Sequence, residues 1–188
     1  MSRVTDVDSA PPPVGSAGQV VLHRNTVAVQ NAASALGLEL EFREFPEGTR
    51  TAKDAARAIG VDVGQIVKSL VFAVGTTPNS PDGRVVMALV SGTNQLDERK
   101  LAAAARTPTA WRVDADAVRL ATGFPVGGVS PLGHPAPLLA WIDEDLLAYD
   151  VVWAAAGTPE VVFAISPTAL KAATSAVTAS LAKRAVAS

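Results

Sequence analysis

Residues 65–74 read QIVKSLVFAV, and residues 84–90 read RVVMALV. Both runs are dominated by apolar residues, many of them β-branched, and each has the length of a strand. The segment between them contains two prolines and ends in Asp82 and Gly83, which are residue types typical of turns. The pattern therefore predicts two antiparallel strands joined as a hairpin.

Helix and strand patterns alternate irregularly outside this hairpin. The predicted helices cover residues 25–36, 51–59, 98–105, 115–122 and 167–183. The further predicted strands cover residues 38–45, 111–113, 138–142, 151–155 and 161–165. Because helices are mixed with strands, some of them antiparallel, we predict a mixed α/β (α+β) fold with a largely antiparallel, barrel-like sheet flanked by helices. The regular alternation of a doubly wound parallel fold is missing.

Two of the helix patterns make specific predictions. The stripe expected to face the core in the first helix consists of Val27, Ala28, Ala32 and Leu36, with Val29 as a further candidate. In the second helix, Thr51 and Asp54 have the spacing of a capping box.

The chain has 188 residues, of which 48% are hydrophobic and 18% are charged, a composition typical of one globular domain. Residues 1–18 are rich in proline and glycine and lack apolar periodicity. We therefore expect a disordered leader there, followed by a single domain over residues 19–188. There is no cysteine and there are two histidines, which excludes thiolate metal sites and argues against a multi-histidine site. We expect neither a metal nor a cofactor.

The 16 basic and 18 acidic residues give a net charge of −2. Proteins that bind nucleic acid through bulk electrostatic attraction are normally basic. We therefore expect no DNA partner, and any RNA contact to be a local patch or to come through a partner. The apolar runs are far too short to span a bilayer, and the N-terminus lacks the pattern of a signal peptide. These features predict a cytoplasmic protein with no membrane partner.

Lys68 lies in the middle of the first strand of the hairpin. On strand spacing it shares a face with Ile66, Leu70, Phe72 and Val74. A lysine on an apolar face is costly unless its ammonium group reaches water, an anion or carbonyl partners. Either Lys68 is a cation that holds a phosphate or a substrate hydroxyl in a pocket, or it extends to solvent near the end of the strand.

Residues 122–133 read TGFPVGGVSPLG. The adjacent glycines Gly127 and Gly128 let a ligand approach the backbone closely, and backbone amides in such a loop can bind an anion or an oxyanion. The spacing is that of neither a Walker loop nor a dinucleotide fingerprint. A long loop of this kind is more often functional than idle, although a proline-punctuated turn has the same composition.

Other polar residues give weaker signals. His134 follows the glycine loop and could orient a substrate, but its position is typical of an exposed loop histidine. Asp143, Glu144 and Asp145 form a run of carboxylates where a turn or the start of a helix is expected, which favours that role over a metal site.

Three stretches of the chain resemble, in order, the YbaK-type aminoacyl-tRNA deacylases, a family also found as the editing insertion of bacterial prolyl-tRNA synthetases. Residues 51–72 resemble the helix, turn and lysine-bearing strand of that family. Residues 121–133 resemble its glycine loop, and residues 156–167 resemble its terminal glycine turn, strand and helix cap.

The resemblance implies a YbaK-like fold and hydrolysis of the ester that joins a wrong amino acid to the terminal adenosine of a tRNA. It implies a catalytic role for Lys68, Gly127 and Gly128. It implies substrate binding by Phe45, Thr51, Phe124, Ser130, His134 and Gly157. Because an aminoacyl ester is already activated, a positioned water and backbone donors can suffice for its hydrolysis.

The chain departs from the family pattern at two points. Phe45 stands where some members have a tyrosine, and Val162 or nearby apolar residues stand where some members have an acidic residue, with Glu160 shifted along the strand. Both differences predict a more apolar pocket.

The leading hypothesis is a free-standing trans-editing hydrolase that acts on proline tRNA charged with alanine or cysteine, as a second sieve after the synthetase. Its partner would be aminoacylated tRNA, which it either finds by itself or reaches by docking on an aminoacyl-tRNA synthetase. The alternative hypothesis is a non-hydrolytic module that binds aminoacyl-tRNA or a small ligand.

Overall fold

The computed structural model describes residues 23–49, 51–78 and 80–184, so the predicted leader over residues 1–18 lies outside it. The α-helices of the described residues are α1 (Arg24–Ala35), α2 (Ala52–Ile59), α3 (Glu98–Ala104), α4 (Ala115–Thr122) and α5 (Pro167–Thr174). The strands are β1 (Phe42–Glu44), β2 (Val67–Gly75), β3 (Arg84–Ser91), β4 (Thr109–Arg112), β5 (Leu139–Asp143), β6 (Val152–Ala155), β7 (Val161–Ile165) and β8 (Val177–Ala179). Helices long and apolar enough to cross a membrane are not found within these ranges.

The described strands form two sheets and not one closed barrel. The larger sheet has the order β4-β2-β3-β5-β8, and the smaller has the order β1-β7-β6. In the larger sheet β2 pairs antiparallel with β3 and β4, whereas β3 with β5 and β5 with β8 are parallel pairs. A parallel bridge between Ile66 and Trp153 joins the residue before β2 to β6. The mixed α/β class is confirmed, with the strands divided between two sheets that meet at this bridge.

The predicted hairpin is confirmed as the centre of the larger sheet. β2 and β3 pair from Val67 opposite Ser91 to Val74 opposite Arg84. Val74 and Leu89 are fully buried, because both strands have neighbours on either side and packed layers on both faces. This double burial explains why the two segments read as continuous apolar runs and not as alternating ones.

The last helix is shorter than the alanine-rich sequence predicts. It ends at Thr174, and Ser175 follows it in the left-handed conformation with φ 51°. The next residues include the β-branched Val177 and Thr178, which pair with β5 as strand β8. The prediction of a helix to residue 183 is therefore wrong, because strand pairing and the burial of Leu181 outweigh the helix propensity of the alanines.

The predicted core face of α1 is right only in part, since Val29 is buried and Ala32 packs against the core, but Val27 and Leu36 do not. The buried residues are Thr26, Val29 and Ala33, whereas Val27 is 38% exposed and Leu36 is 54% exposed. Thr26 is buried without penalty because its hydroxyl donates to the main-chain oxygen of Ala156 at 3.0 Å. The buried face of α1 therefore includes Thr26, a polar residue that a search for apolar periodicity does not select.

The strand predicted over residues 38–45 is limited to β1. Leu38 donates its N–H to the Ala33 oxygen at 2.9 Å and so belongs to the end of α1. Pairing with β7 begins only at Phe42, which lies opposite Phe163.

Candidate functional site

A cleft of about 620 Å³ opens where the N-terminal end of α2, the start of β2 and the glycine loop meet. Apolar side chains form most of its walls, among them Ile66, Val71, Phe72, Val129, Trp153 and Val162. The polar side chains of the wall are those of Thr49, Thr51, Lys53, Lys68, Ser69 and Arg112. Among the described residues that line the cleft there are three cations and no carboxylate. The expectation of an apolar wall at Val162 agrees with this lining.

Lys68 is the second residue of β2, and its side chain is half-buried. The ammonium group donates a hydrogen bond to the main-chain oxygen of Asn94, in the turn that follows β3. Burial lowers the pKa of Lys68 below that of an ordinary lysine, and the nearby Asp143 carboxylate partly opposes this effect by raising the pKa. The strand therefore carries the cation into the cleft wall, where a carbonyl partner holds it.

Thr51 places the N-terminal end of α2 against the cleft. Its hydroxyl oxygen accepts a hydrogen bond from the Asp54 N–H at 3.1 Å and donates to the Asp54 carboxylate at 2.6 Å. Thr51 is therefore the N-cap of α2, as the sequence predicts. Gly60 ends the helix in the left-handed conformation with φ 84°.

Gly127 and Gly128 occupy different environments within the glycine loop. Gly127 lines the cleft, is exposed and has φ 90°, and a Cβ atom built on it has no neighbour within 4 Å. A Cβ atom on Gly128 would lie 2.7 Å from the Thr158 backbone, so this glycine seats the loop on the turn before β7. Gly128 donates its N–H to the Pro125 oxygen at 3.0 Å, whereas the Gly127 N–H makes no hydrogen bond within the described residues.

Phe124 and Ser130 of the glycine loop, and His134 just after it, do not line the cleft. Ser130 is fully buried, and its hydroxyl oxygen accepts from the Leu132 N–H at 3.2 Å. The ring of His134 lies with Nε2 2.7 Å from the Ser130 main-chain oxygen and packs edge-on against Phe124 at a centroid distance of 6.0 Å. These contacts among the three residues fix the shape of the loop.

The expectation of an exposed His134 is wrong, because its ring is half-buried between the loop and Phe124. Burial lowers the pKa of His134, since the charged ring would lose its hydration, and the Ser130 oxygen opposes this only in part. In the neutral ring, Nε2 carries the proton that it donates to Ser130.

Gly157 is also outside the cleft. Its φ of 89° turns the chain before β7, and its oxygen accepts from the Asn25 side-chain amide at 2.8 Å. Together with the bond from Thr26 to Ala156, this ties α1 to the turn on which Gly128 rests. α1 therefore supports the glycine loop indirectly, because it holds the turn before β7 and Gly128 packs on that turn.

Phe45 faces a different cavity, of about 850 Å³, on the other side of α2. Pro46, Glu47, Asp54 and Arg57 also line this cavity. Of the nine residues predicted to act in the site, the structure thus brings Lys68, Thr51 and Gly127 together at the cleft.

Asn94 and Asp143 are the polar neighbours of the cleft that the sequence did not single out for this role. Asp143 is fully buried, and its Oδ2 accepts from the Asn94 side-chain amide at 2.7 Å. The same amide donates to Asp145 Oδ2 at 2.6 Å. Asp143 is the last residue of β5, and a carboxylate at the end of such a buried run is the signal that could have pointed to it.

Ser69 carries a second signal that the sequence does not show. Its hydroxyl is shielded from solvent and has no hydrogen-bond partner within the described part of the chain. A shielded hydroxyl without a partner is costly. Ser69 therefore places unsatisfied hydrogen-bonding capacity beside Lys68 in the cleft wall.

Comparison with known proteins identifies the family of this arrangement. A model of the aminoacyl-tRNA editing domain matches residues 46–173, which include the cleft and the glycine loop. A protein of Enterococcus faecalis named as a candidate Cys-tRNA(Pro)/Cys-tRNA(Cys) deacylase is 28% identical over 132 residues, which cover 70% of this chain and 76% of that protein. A proline–tRNA ligase of Desulforamulus reducens is 33% identical over 96 residues, which cover 51% of this chain and 16% of the ligase.

Solved structures agree with these matches. The crystal structure of a candidate trans-editing enzyme for prolyl-tRNA synthetase superimposes with a TM-score of 0.79 at 44% sequence identity, over 87% of this chain and 99% of that one. The resemblance that the sequence motifs suggest is thereby confirmed. The chain belongs to the family of aminoacyl-tRNA editing domains.

Proposed function

We propose that this aminoacyl-tRNA deacylase removes alanine or cysteine from mischarged proline tRNA, and that the ester is hydrolysed in the cleft between Lys68 and Gly127. The proposal includes action in trans, on tRNA that a separate synthetase has charged. The names of the Enterococcus faecalis relative and of the solved trans-editing neighbour support proline tRNA as the substrate.

The lining of the cleft is the observation that carries the proposal. Its cations Lys53, Lys68 and Arg112 suit the phosphates of a tRNA end, and its apolar walls suit a small uncharged side chain. A carboxylate in the wall would repel the tRNA backbone, and the described lining residues include none.

Hydrolysis requires charge stabilisation where the ester carbonyl becomes an oxyanion. The unpaired Gly127 N–H, at the mouth of the cleft, is the backbone donor that we assign to this oxyanion. A water molecule attacks the carbonyl carbon, the bond from that carbon to the ribose oxygen breaks, and the ribose oxygen leaves as a hydroxyl with a proton from the water. Lys68 holds the terminal nucleotide or the aminoacyl group in place for this attack.

The remaining predicted residues, except Phe45, support this chemistry, Thr51 from the cleft wall and the others from outside the cleft. Gly128 seats the loop on Thr158, and Ser130, His134 and Phe124 hold its shape. Gly157 ties the underlying turn to α1. Thr51 fixes the start of α2 beside Lys53 in the cleft wall.

A deacylation assay with purified protein tests the proposal. The substrates are proline tRNA charged with alanine, cysteine, serine or proline, and the variants are Lys68→Ala and Lys171→Ala, whose lysine is exposed on α5. We expect rapid loss of alanine or cysteine, retention of proline, a large loss of rate for Lys68→Ala and none for Lys171→Ala. Full activity of Lys68→Ala would remove Lys68 from the mechanism, and tight binding without hydrolysis of any substrate would favour the binding module instead.

A further inference from the structure

A chain of hydrogen bonds leads from the cleft lysine into the interior of the protein. Lys68 donates to the main-chain oxygen of Asn94, and the side-chain amide of Asn94 donates to Asp143 at 2.7 Å and to Asp145 at 2.6 Å. The other oxygen of Asp143 accepts from the Leu181 N–H at 3.0 Å. The other oxygen of Asp145 accepts from Arg184 at 3.0 Å.

Asp143 is fully buried, and its direct hydrogen-bond partners, Asn94 and Leu181, are neutral. A buried carboxylate is costly unless a cation compensates its charge. Lys68 and Asp143 do not form a direct ion pair within the described structure, and Asn94 lies between them. Two cations compensate Asp143 without touching it, Lys68 through the intervening Asn94 and Arg184 from the side of Asp145.

Asn94 can transmit this coupling because both ends of the residue are held. It follows β3 in a tight turn, in which its N–H donates to the Ser91 oxygen at 3.0 Å. Its side chain is fixed by two carboxylates, so the direction of its carbonyl group is fixed as well. That carbonyl group is the partner of the Lys68 ammonium group.

We propose that Asn94 and Asp143 are positioning residues that hold the Lys68 ammonium group in the cleft of the editing site. The proposal rests on the role of Lys68 in the proposed function. The electrostatic coupling between Asp143 and Lys68, however, exists in the free protein. The coupling can therefore be measured without tRNA.

The electrostatic surroundings of Lys68 define the expected coupling. Burial lowers its pKa, and Asp143 is the carboxylate that raises it. The other charged groups nearby are Asp145 beyond Asn94, the cations Lys53 and Arg112 in the cleft wall, and Glu144, Lys100 and Arg184 around the two aspartates. Removing the charge of Asp143 therefore lowers the pKa of Lys68 further.

The first experiment is an NMR titration of lysine side chains in the full-length protein, with the Lys68 signal assigned by its loss in Lys68→Arg. Asp143→Asn keeps the size of the side chain and removes its charge. Glu144→Gln, at an exposed neighbouring position, is the matched control. We expect the pKa of Lys68 to fall in Asp143→Asn and to stay unchanged in Glu144→Gln. An unchanged pKa in a folded Asp143→Asn protein would overturn the proposal.

Asn94→Ala is the second variant, at a half-buried turn position; it leaves the buried Asp143 without its amide donor, so it is measured once its fold has been confirmed by circular dichroism. It keeps the main-chain carbonyl group but frees it from the two carboxylates. We expect the Cε methylene of Lys68 to become more mobile in NMR relaxation measurements. Mobility equal to that of the unmodified protein would contradict a positioning role.

Activity is the third readout and depends on the proposed function. With mischarged proline tRNA we expect kcat/KM of Asp143→Asn to fall on the order of tenfold to a hundredfold, mainly through kcat, because the cation is displaced from its working position. A change in the pKa of Lys68 without any deacylation by the unmodified protein would support the coupling and refute the function. Deacylation by the unmodified protein together with full activity of Asp143→Asn would support the proposed function and refute the positioning role of Asp143.

Discussion

Two adjacent glycines respond to opposite physical limits. At Gly128 the space for a side chain is occupied by the Thr158 backbone at 2.7 Å, whereas at Gly127 the space is open but φ is 90°. We predict that Gly128→Ala lowers the free energy of unfolding by about 1–3 kcal/mol through overpacking. Gly127→Ala costs about 1 kcal/mol through backbone strain alone. Urea unfolding of the two variants measures both values.

Activity separates the two glycines further. Gly127 lines the cleft, so the backbone change in Gly127→Ala moves the proposed oxyanion donor. We predict that the deacylation rate falls by more than the small loss of stability would explain. Equal rates for Gly127→Ala and the unmodified protein would show that the loop is not near the ester.

The buried ring of His134 makes stability depend on pH. Its pKa is lowered in the folded state, whereas in the unfolded chain it is about 6.5. As the pH falls below about 6.5, the unfolded chain takes up a proton that the folded protein does not, so stability is lost down to the lowered folded pKa. We predict a smaller loss between about pH 7.5 and pH 5.5 in His134→Gln, measured by urea unfolding.

The other histidine provides the control for this measurement. His23 is exposed and caps α1 through its Nδ1, and His23→Asn keeps an acceptor at that position. Urea unfolding of His23→Asn over the same pH range measures what the exposed histidine contributes, and the effect of His134→Gln is compared with it. A loss in His134→Gln equal to that of the unmodified protein would show that groups other than His134 cause the loss at low pH.

At the scale of single elements, α2 depends on its N-cap. The helix has only 8 residues, and the hydroxyl oxygen of its N-cap Thr51 accepts a hydrogen bond from the Asp54 N–H at 3.1 Å. We predict that Thr51→Ala lowers the free energy of unfolding by about 1 kcal/mol, whereas Thr51→Ser, which keeps the hydroxyl, has a much smaller effect. Denaturant unfolding of the two variants checks the difference, and equal losses would assign the effect to the lost methyl group.

The elements also show where sequence patterns suffice. The hairpin of β2 and β3, the caps at Thr51 and Asp97 and the stop at Gly123 follow from local residue types and were predictable. β8 was not, because its pairing with β5 depends on a partner that lies more than thirty positions earlier in the chain. The burial of Thr26 on α1 was not predictable for the same reason, since its acceptor lies on the distant turn at Ala156.

At the scale of the whole molecule, the segment after β8 belongs to the core. Leu181 is fully buried against Leu96, Leu101 and Trp141, whereas Leu120 on α4 is 85% exposed. We predict that Leu181→Ala lowers the free energy of unfolding by about 2–5 kcal/mol. The same substitution at Leu120 should change it by less than about 0.5 kcal/mol. Thermal or chemical unfolding of the pair measures the difference, and similar values would place residue 181 outside the cooperative core.

The candidate site was predictable only in part at this scale. Lys68 and the glycine loop stand out because a lysine in an apolar strand and paired glycines are unusual locally. Asn94 and Asp143 do not stand out, since each looks like an ordinary turn residue until β5 and the turn after β3 are brought side by side. Contacts between distant segments decide which polar residues surround the lysine, and periodicity carries no information about them.

The position of Leu181 gives the site an order of assembly during translation. Ribosomes add roughly 5–20 residues per second, so Lys68 leaves the peptidyl-transferase centre several seconds before Leu181 does. The Leu181 N–H donates to Asp143, and the Leu181 oxygen accepts from the Asp97 N–H. Until β8 and Leu181 emerge, Asp143 lacks its partner at Leu181, and β5 lacks the neighbour β8 along one edge. A nascent chain stalled short of this segment therefore carries the lysine and the glycine loop without a finished site, and editing competence waits for the residues that follow β8.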